Sequence, residues 1–244
     1  VATPERPVSP EDIARFDALA ARRRDGEPLA YLLGTREFYG RPFRVTSAVL
    51  VPRPETELLV DLALAALDVL APRAAPRVLD LGTGSGCIAI SVALARPSAR
   101  VEAVDASVDA LAIAQSNADA LGARVSFATS DWFAAVRGPF ELLLANPPYI
   151  AADDPHLAAL AHEPHGALTD GADGLDCLRV IARDAPRHLA AGGTLMVEHG
   201  HDQAATVRAL FEAAGMQDVR SERDAAGIER VCVGRWPGPQ APGR

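Results

Sequence analysis

The chain has 244 residues, 24 basic against 32 acidic side chains and a formal net charge of −8, and every basic residue is arginine. Without lysine, a Schiff-base lysine, a P-loop lysine and a lysine-rich nucleic-acid patch are excluded, and the acidic balance argues against a general nucleic-acid binder, whose footprint is basic. An apolar fraction of 49% supplies a core, and 23% charged residues is too ordinary for global disorder.

Residues 1–28 are polar and proline-rich around one amphipathic helix over about 10–24, with Ile13, Phe16, Leu19 and Ala20 at helical spacing. A further helical segment is expected before it. Residues 36–51 alternate around Gly40-Arg41-Pro42 and read as a β-hairpin. Pro52-Arg53-Pro54-Glu55-Thr56-Glu57 then starts an apolar-periodic helix to Leu70, with acids in the first turn where the helix dipole favours them. From Arg77 strands (78–82, 101–105, 125–129, 141–147, 194–200) alternate with helices (about 85–95, 107–121, 174–190, 203–214). That alternation predicts a parallel α/β sheet with helices on both faces. Residues 218–235 read as two strands about Asp224–Gly227, which would add an antiparallel strand. Residues 236–244 read as a disordered tail.

Cys87, Cys177 and Cys232 are odd in number and far apart, so no disulfide framework and no zinc site are expected, and a reduced, cytoplasmic protein is. No signal peptide and no apolar run of about 20 residues is visible, so no membrane contact is expected.

Asp80-Leu81-Gly82-Thr83-Gly84-Ser85-Gly86 follows an apolar strand and opens a helix. Its glycines permit positive φ and close approach of the backbone to a ligand, outside the carboxyl end of a strand. Asp105 ends the next strand, where a carboxylate can accept both hydroxyls of a ribose. The loop alone suits NAD, FAD or S-adenosylmethionine, but its spacing is G-x-G-x-G rather than G-x-G-x-x-G. Asp131 and Trp132 follow the third strand, placed to flank an adenine ring; Trp132 also suits the core.

Asn146-Pro147-Pro148-Tyr149 ends the fourth strand. Two prolines stiffen the segment and remove two donors, leaving the Pro147 carbonyl and the Asn146 side-chain carbonyl as acceptors for one planar NH₂ group. Tyr149 offers a face for a flat amide or base. This chemistry points to methyl transfer onto a poorly nucleophilic amide or aromatic amine, through orientation rather than a strong base.

These segments resemble a class I, Rossmann-like methyltransferase with an amino-group acceptor. With residues 27–34, Val51–Glu57, Glu163-Pro164 and Leu168–Leu175 added, the chain from about Gly26 to Arg235 resembles the HemK/PrmC-type glutamine methyltransferases of peptide chain release factors. The resemblance implies a mostly parallel seven-stranded sheet and a reaction at the glutamine amide of the Gly-Gly-Gln loop of class I release factors. It implies S-adenosylmethionine contacts from Gly82, Thr83, Gly84, Ser85, Gly86, Asp105, Asp131, Trp132 and Asn146. Asn146, Pro147, Pro148 and Tyr149 would hold the glutamine, with Asn146, Pro147 and Tyr149 acting in catalysis. It also implies a helical N-terminal domain, of which residues 1–33 would be a remnant. Residues 34–52 would then be the hairpin linker and 53–235 the methyltransferase domain. A monomer with no direct nucleic-acid substrate is expected.

Asn-Pro-Pro-Tyr is shared with adenine amino-methyltransferases, so that alternative stays open, as does a methyltransferase-fold binding module without activity. Arg53, Glu55 and Glu57 read equally as site braces or as helix-start ion pairs. His162 and His165 read as surface loop rather than metal ligands, Glu198, His199 and His201 as rim residues, and Cys87 as a packing residue.

Overall fold

Strands β3 (Arg77–Leu81) and β6 (Phe140–Ala145) are apolar on both faces, and both faces are covered. This is the pattern of central parallel strands. The computed structural model describes residues 7–70 and 75–239. The other strands are β1 (Thr35–Phe38), β2 (Arg41–Arg44), β4 (Arg100–Asp105), β5 (Val125–Thr129), β7 (Leu189–Glu198), β8 (Gln217–Arg223) and β9 (Glu229–Arg235). Seven of them form one sheet in the order β5-β4-β3-β6-β7-β9-β8. β3 to β7 run parallel, while β9 lies antiparallel between β7 and β8. The terminal hairpin therefore enters the sheet as expected.

Neighbouring residues face opposite cores. Val78, Leu142 and Leu144 join the cluster under α3 (Glu57–Leu70) and α4 (Cys87–Ala95). Leu79, Leu143 and Ala145 join the cluster under α6 (Asp176–Asp184) and α7 (Ala204–Ala213). Each fully buried Leu contributes roughly 1.5–3 kcal/mol, so a residue slip in register would forfeit both cores at once. α4 is buried nearly all round, sandwiched between α3, the sheet and α5 (Val108–Leu121).

Several boundaries differ from the sequence reading. The hairpin turns at Tyr39-Gly40, both at positive φ (52° and 72°), which matches the right-handed twist of its strands; Arg41 and Pro42 belong to β2. Residues past Arg44 are no longer strand. Leu29–Leu33 form a short helix, α2, after α1 (Pro10–Arg24), closed by Gly34 in the left-handed conformation. α6 stops at Asp184, just ahead of Pro186, rather than reaching 190. β6 stops at Ala145, just before Asn146 and the two prolines that cannot donate to a ladder. The tail does not begin at 236: Trp236 exchanges backbone hydrogen bonds of 2.7 Å with Gly192 and Gly193, and its ring packs on the α7 side of the core. Residues 240–244, part of the expected tail, lie outside the described residues.

The chain proceeds outward from β3 through β4 to β5, then returns to β6 on the other side of β3. The switch point therefore lies between the carboxyl ends of β3 and β6, where open α/β sheets bind ligands. The glycine loop leaves β3 there, and the Asn146–Tyr149 segment leaves β6. Asn117 of α5 secures the surroundings. Buried, it accepts from the Arg44 amide (2.8 Å) and donates to the carbonyls of Arg44 (3.1 Å) and Ser85 (2.9 Å), tying hairpin, helix and glycine loop together.

Candidate active site

A cleft of about 450 Å³ opens at the switch point, within the range of small-molecule sites. Gly82, Thr83, Gly84, Asp105, Asp131, Trp132, Asn146 and Pro148 line it. A second cavity of about 300 Å³ is lined by Asn146, Pro147, Tyr149, Leu50, Arg53 and Leu168, among others. Asn146 and Arg53 belong to both walls.

Two expected loop residues do not reach the cleft. Ser85 is buried, its carbonyl held by Asn117. Gly86 sits at φ +81°, and a Cβ there would meet Ile90 Cδ1 at 2.8 Å and Ala114 Cβ at 3.2 Å. Its role is close packing of α4 against α5.

Four amides of the loop are already used. The Gly82 and Thr83 amides donate to the Val104 carbonyl (2.9 and 3.0 Å), Gly84 N–H to Asp105 Oδ2 (2.9 Å), and Gly86 N–H to the Thr83 carbonyl (2.8 Å). Asp105, Asp131 and Asp170 face the cleft with one arginine, Arg53. That acidic lining repels a diphosphate and suits the cationic sulfonium nucleoside. Asp105 is held by the Gly84 and Ser107 amides (2.9 and 2.8 Å) and keeps lone pairs for a ribose. Trp132 sits at φ +46°, a conformation costing about 1–2 kcal/mol in a non-glycine residue. Ser130 holds it, donating to the Trp132 carbonyl (2.8 Å) and accepting from Ala135 N–H (2.9 Å). The half-buried ring lies over Gly82, where a Cβ would come within 3.6 Å of it.

Asn146 Nδ2 donates to Thr56 Oγ1 at 3.1 Å. Its side-chain carbonyl, and that of the Pro147 backbone, accept nothing from the described residues. Tyr149 donates to Glu198 Oε1 at 3.2 Å, and burial next to that carboxylate pushes the phenol above its ordinary range. The Asp-Gly segment supports the same strip. Ile150 and Thr169 form a parallel bridge, Ala152 N–H donates to the Ala172 carbonyl (2.8 Å), and Asp170 accepts from the amides of Ala172, Gly174 and Asp176.

Sequence reasoning missed several contributors. Asp80 is buried with Oδ1 unpartnered; burial lifts its carboxyl to about 7 against the pull of the Thr83 hydroxyl (2.6 Å). Glu163 is buried and accepts from the Val51 amide (2.9 Å) and Arg53 Nη2 (2.5 Å). Glu198 is buried rather than on the rim. Of the helix-start residues, Arg53 braces the site through Glu163, Glu57 takes the Tyr39 amide (2.8 Å), and the unweighed Thr56 reaches Asn146. The acid-rich segment carried that signal, but the residue between the acids makes the contact. Burial raises the Cys87 thiol to about 12, consistent with packing. Among the described residues no His/Cys/Asp/Glu group could hold a metal, and no helix is long and apolar enough to cross a membrane.

This sheet order, with an acid-lined cleft and a prolyl acceptor segment at its switch point, defines a class I methyltransferase. Residues 58–219 match the methyltransferase small domain, and residues 1–34 match the PrmC N-terminal domain. A release factor glutamine methyltransferase of Bordetella pertussis is 54% identical over 93% of this chain and 85% of its own. One from Burkholderia pseudomallei is 52% identical over 96% and 85%. The T. thermophilus 16S rRNA methyltransferase in complex with AdoMet and guanosine shares the fold, with a TM-score of 0.56 and 20% identity over 82% of this chain and 49% of that one. The chain belongs to the release factor glutamine methyltransferases.

Proposed function

We propose that this chain methylates the side-chain amide nitrogen of the glutamine in the Gly-Gly-Gln loop of class I release factors, with the donor in the larger cleft and the glutamine in the smaller cavity. The position of Asn146 carries this reading. It stands on the wall common to both cavities, with its NH₂ tied to Thr56 and its carbonyl turned loose.

S-adenosylmethionine supplies an electrophilic methyl on a sulfonium. Asp105 accepts ribose hydroxyls, Trp132 stacks on the adenine, and Asp131 accepts from its amine. Gly82, Thr83 and Gly84 let the backbone lie close to the donor. On the acceptor side, the Asn146 Oδ1 and the Pro147 carbonyl each take one N–H of the glutamine amide. That fixes the plane of the amide and aims its nitrogen at the larger cleft. The amide nitrogen is a weak nucleophile, so the gain comes from orientation and from acceptors that strengthen as the N–H protons become more acidic. As the nitrogen–methyl bond formed, the methyl–sulfur bond would break, S-adenosylhomocysteine would leave, and one N–H proton would pass to water in the cleft. The Tyr149 ring packs against the flat amide. Its raised pKa keeps the phenol protonated, so it stays a wall and not a base.

The enzyme acts as a monomer on protein rather than on nucleic acid. A net charge of −8 without lysine supports that choice of acceptor. The test is methyl transfer from labelled S-adenosylmethionine to purified release factor, to the same factor with its Gly-Gly-Gln glutamine replaced, to RNA and to DNA. Label is expected on the intact factor alone. Label on nucleic acid, or equal label after glutamine replacement, overturns the reading.

A further inference from the structure

One buried carboxylate touches Tyr149 at one end of the acceptor segment and lies beside Thr56, the residue that holds Asn146 at the other. Glu198, at the carboxyl end of β7, is 1% exposed. Its Oε1 accepts from the Tyr149 hydroxyl at 3.2 Å, and the Thr56 hydroxyl lies beside the same carboxylate and favours its charged form. Its Oε2 keeps no hydrogen bond of good geometry. Thr56, equally buried, uses its oxygen to accept from Asn146 Nδ2 at 3.1 Å.

The direction of these hydrogen bonds is not free. An ionised carboxylate only accepts. The Thr56 proton therefore turns to Glu198, the Thr56 lone pair turns to Asn146, and Asn146 must offer its NH₂ inward. Its Oδ1 is left facing the cavities. We propose that Glu198 and Thr56 are positioning residues that fix the Asn146 amide in its acceptor orientation, so that the charge on Glu198 sets the polarity of the glutamine-binding wall. This rests on the glutamine-methylating reading above.

Protonated Glu198 reverses the chain. It can donate to Thr56, whose hydroxyl then donates to Asn146, and Asn146 must turn its carbonyl inward. Its NH₂ would then meet the NH₂ of the glutamine. The charged and titratable neighbours leave this proton within reach of neutral pH. Burial dominates and lifts Glu198 to about 7, with Glu55 adding repulsion. Thr56, Tyr149 and Arg230 of β9 pull it back. Cys87 of α4, its thiol raised by burial, faces it uncharged.

The test uses the full chain with release factor. Thr56→Val keeps the shape and removes the hydrogen bond to Asn146 and the hydroxyl beside Glu198; Thr56→Ser restores them. Thr56→Val is expected to lower kcat about 10- to 100-fold, with S-adenosylmethionine Kd by calorimetry within about threefold of wild type, and Thr56→Ser to recover kcat. Wild-type kcat should fall on the acid side of about pH 7, and this limb should vanish in Glu198→Gln. Wild-type kcat in Thr56→Val, or an acid limb unchanged in Glu198→Gln, overturns the proposal. If Thr56→Val no longer binds the donor, the pH profile of Glu198→Gln decides alone. A wild-type enzyme that leaves release factor unlabelled would instead overturn the function on which the inference rests.

Discussion

Asn146 can be assigned a role because every other group around its amide is accounted for. Its nitrogen is spent on Thr56, and no described residue donates to its oxygen. Alanine at 146 removes that oxygen and leaves Asp105 and its supporting amides untouched. Loss of one orienting acceptor in a dry site costs on the order of 10²–10³ in rate. Asn146→Ala should therefore lower kcat by that factor while the calorimetric Kd for S-adenosylmethionine changes only a few-fold. A parallel loss of donor affinity would move Asn146 from the acceptor to the donor side. The same accounting applies to the glycine loop, whose Gly82, Thr83, Gly84 and Gly86 amides already have partners. The carboxylate of Asp105, not a nest of N–H groups, is what the loop presents to a ligand.

At the scale of elements, the acceptor strip is a graft held from outside β6. The segment 168–175 bridges it, and Gly174 sits against it at φ +75°, where a Cβ would come within 2.4 Å of the Tyr149 carbonyl. Gln203 of the turn before α7 donates to that carbonyl (2.9 Å) and to that of Gly174 (3.2 Å). Gly174→Ala meets both a left-handed backbone and a backbone clash, together about 3 kcal/mol. At roughly 2–4 °C per kcal/mol for a chain this size, its Tm should fall by about 6–12 °C, with activity lost at temperatures where the fold persists. A wild-type melting curve would show that the strip can shift freely. The strip and the glycine loop were legible in the sequence because each is written in consecutive residues at the end of an apolar strand. Their supports were not, because the partners are remote: Thr56 and Asn146 are 90 residues apart, and Arg53 and Glu163 are 110 apart. The resemblance marked 51–57, 163–164 and 168–175, but it could not show that Thr56 packs inward while Glu55 faces out. The early end of α6 was legible in Pro186, and the late start of the tail was not, since Trp236 docks through backbone pairs that side-chain chemistry does not signal.

Across the whole molecule, the sheet face under α3 and α4 buries two carboxyl groups near the switch point without a full complement of partners. Asp80 and Glu198 are both lifted to about 7, chiefly by burial. In the unfolded chain each titrates near 4. A carboxyl raised in the folded state contributes stability that is fully present below pH about 4 and is lost as pH rises through about 7. The acids paired with arginine or capping backbone amides, such as Asp68, Asp173, Asp184 and Asp224, are shifted downward. Their contribution is lost only as pH falls below about 4, outside this window. His188 and His199, lowered by burial, act in the opposite sense to the two carboxyls, costing stability as pH falls through about 6.5. The absolute slope of the wild type therefore mixes both effects, whereas the difference between two proteins isolates the carboxyls. Asp80→Asn with Glu198→Gln removes the titration and leaves the histidines. Each group accounts for about 2 kcal/mol between pH 5 and 8. Relative to wild type, the double variant should therefore gain about 8–16 °C of Tm on going from pH 5 to pH 8, whatever its offset at pH 5. Scanning calorimetry at the two pH values measures this, and an offset that stays constant would mean that neither carboxyl holds its proton near neutrality in the folded enzyme.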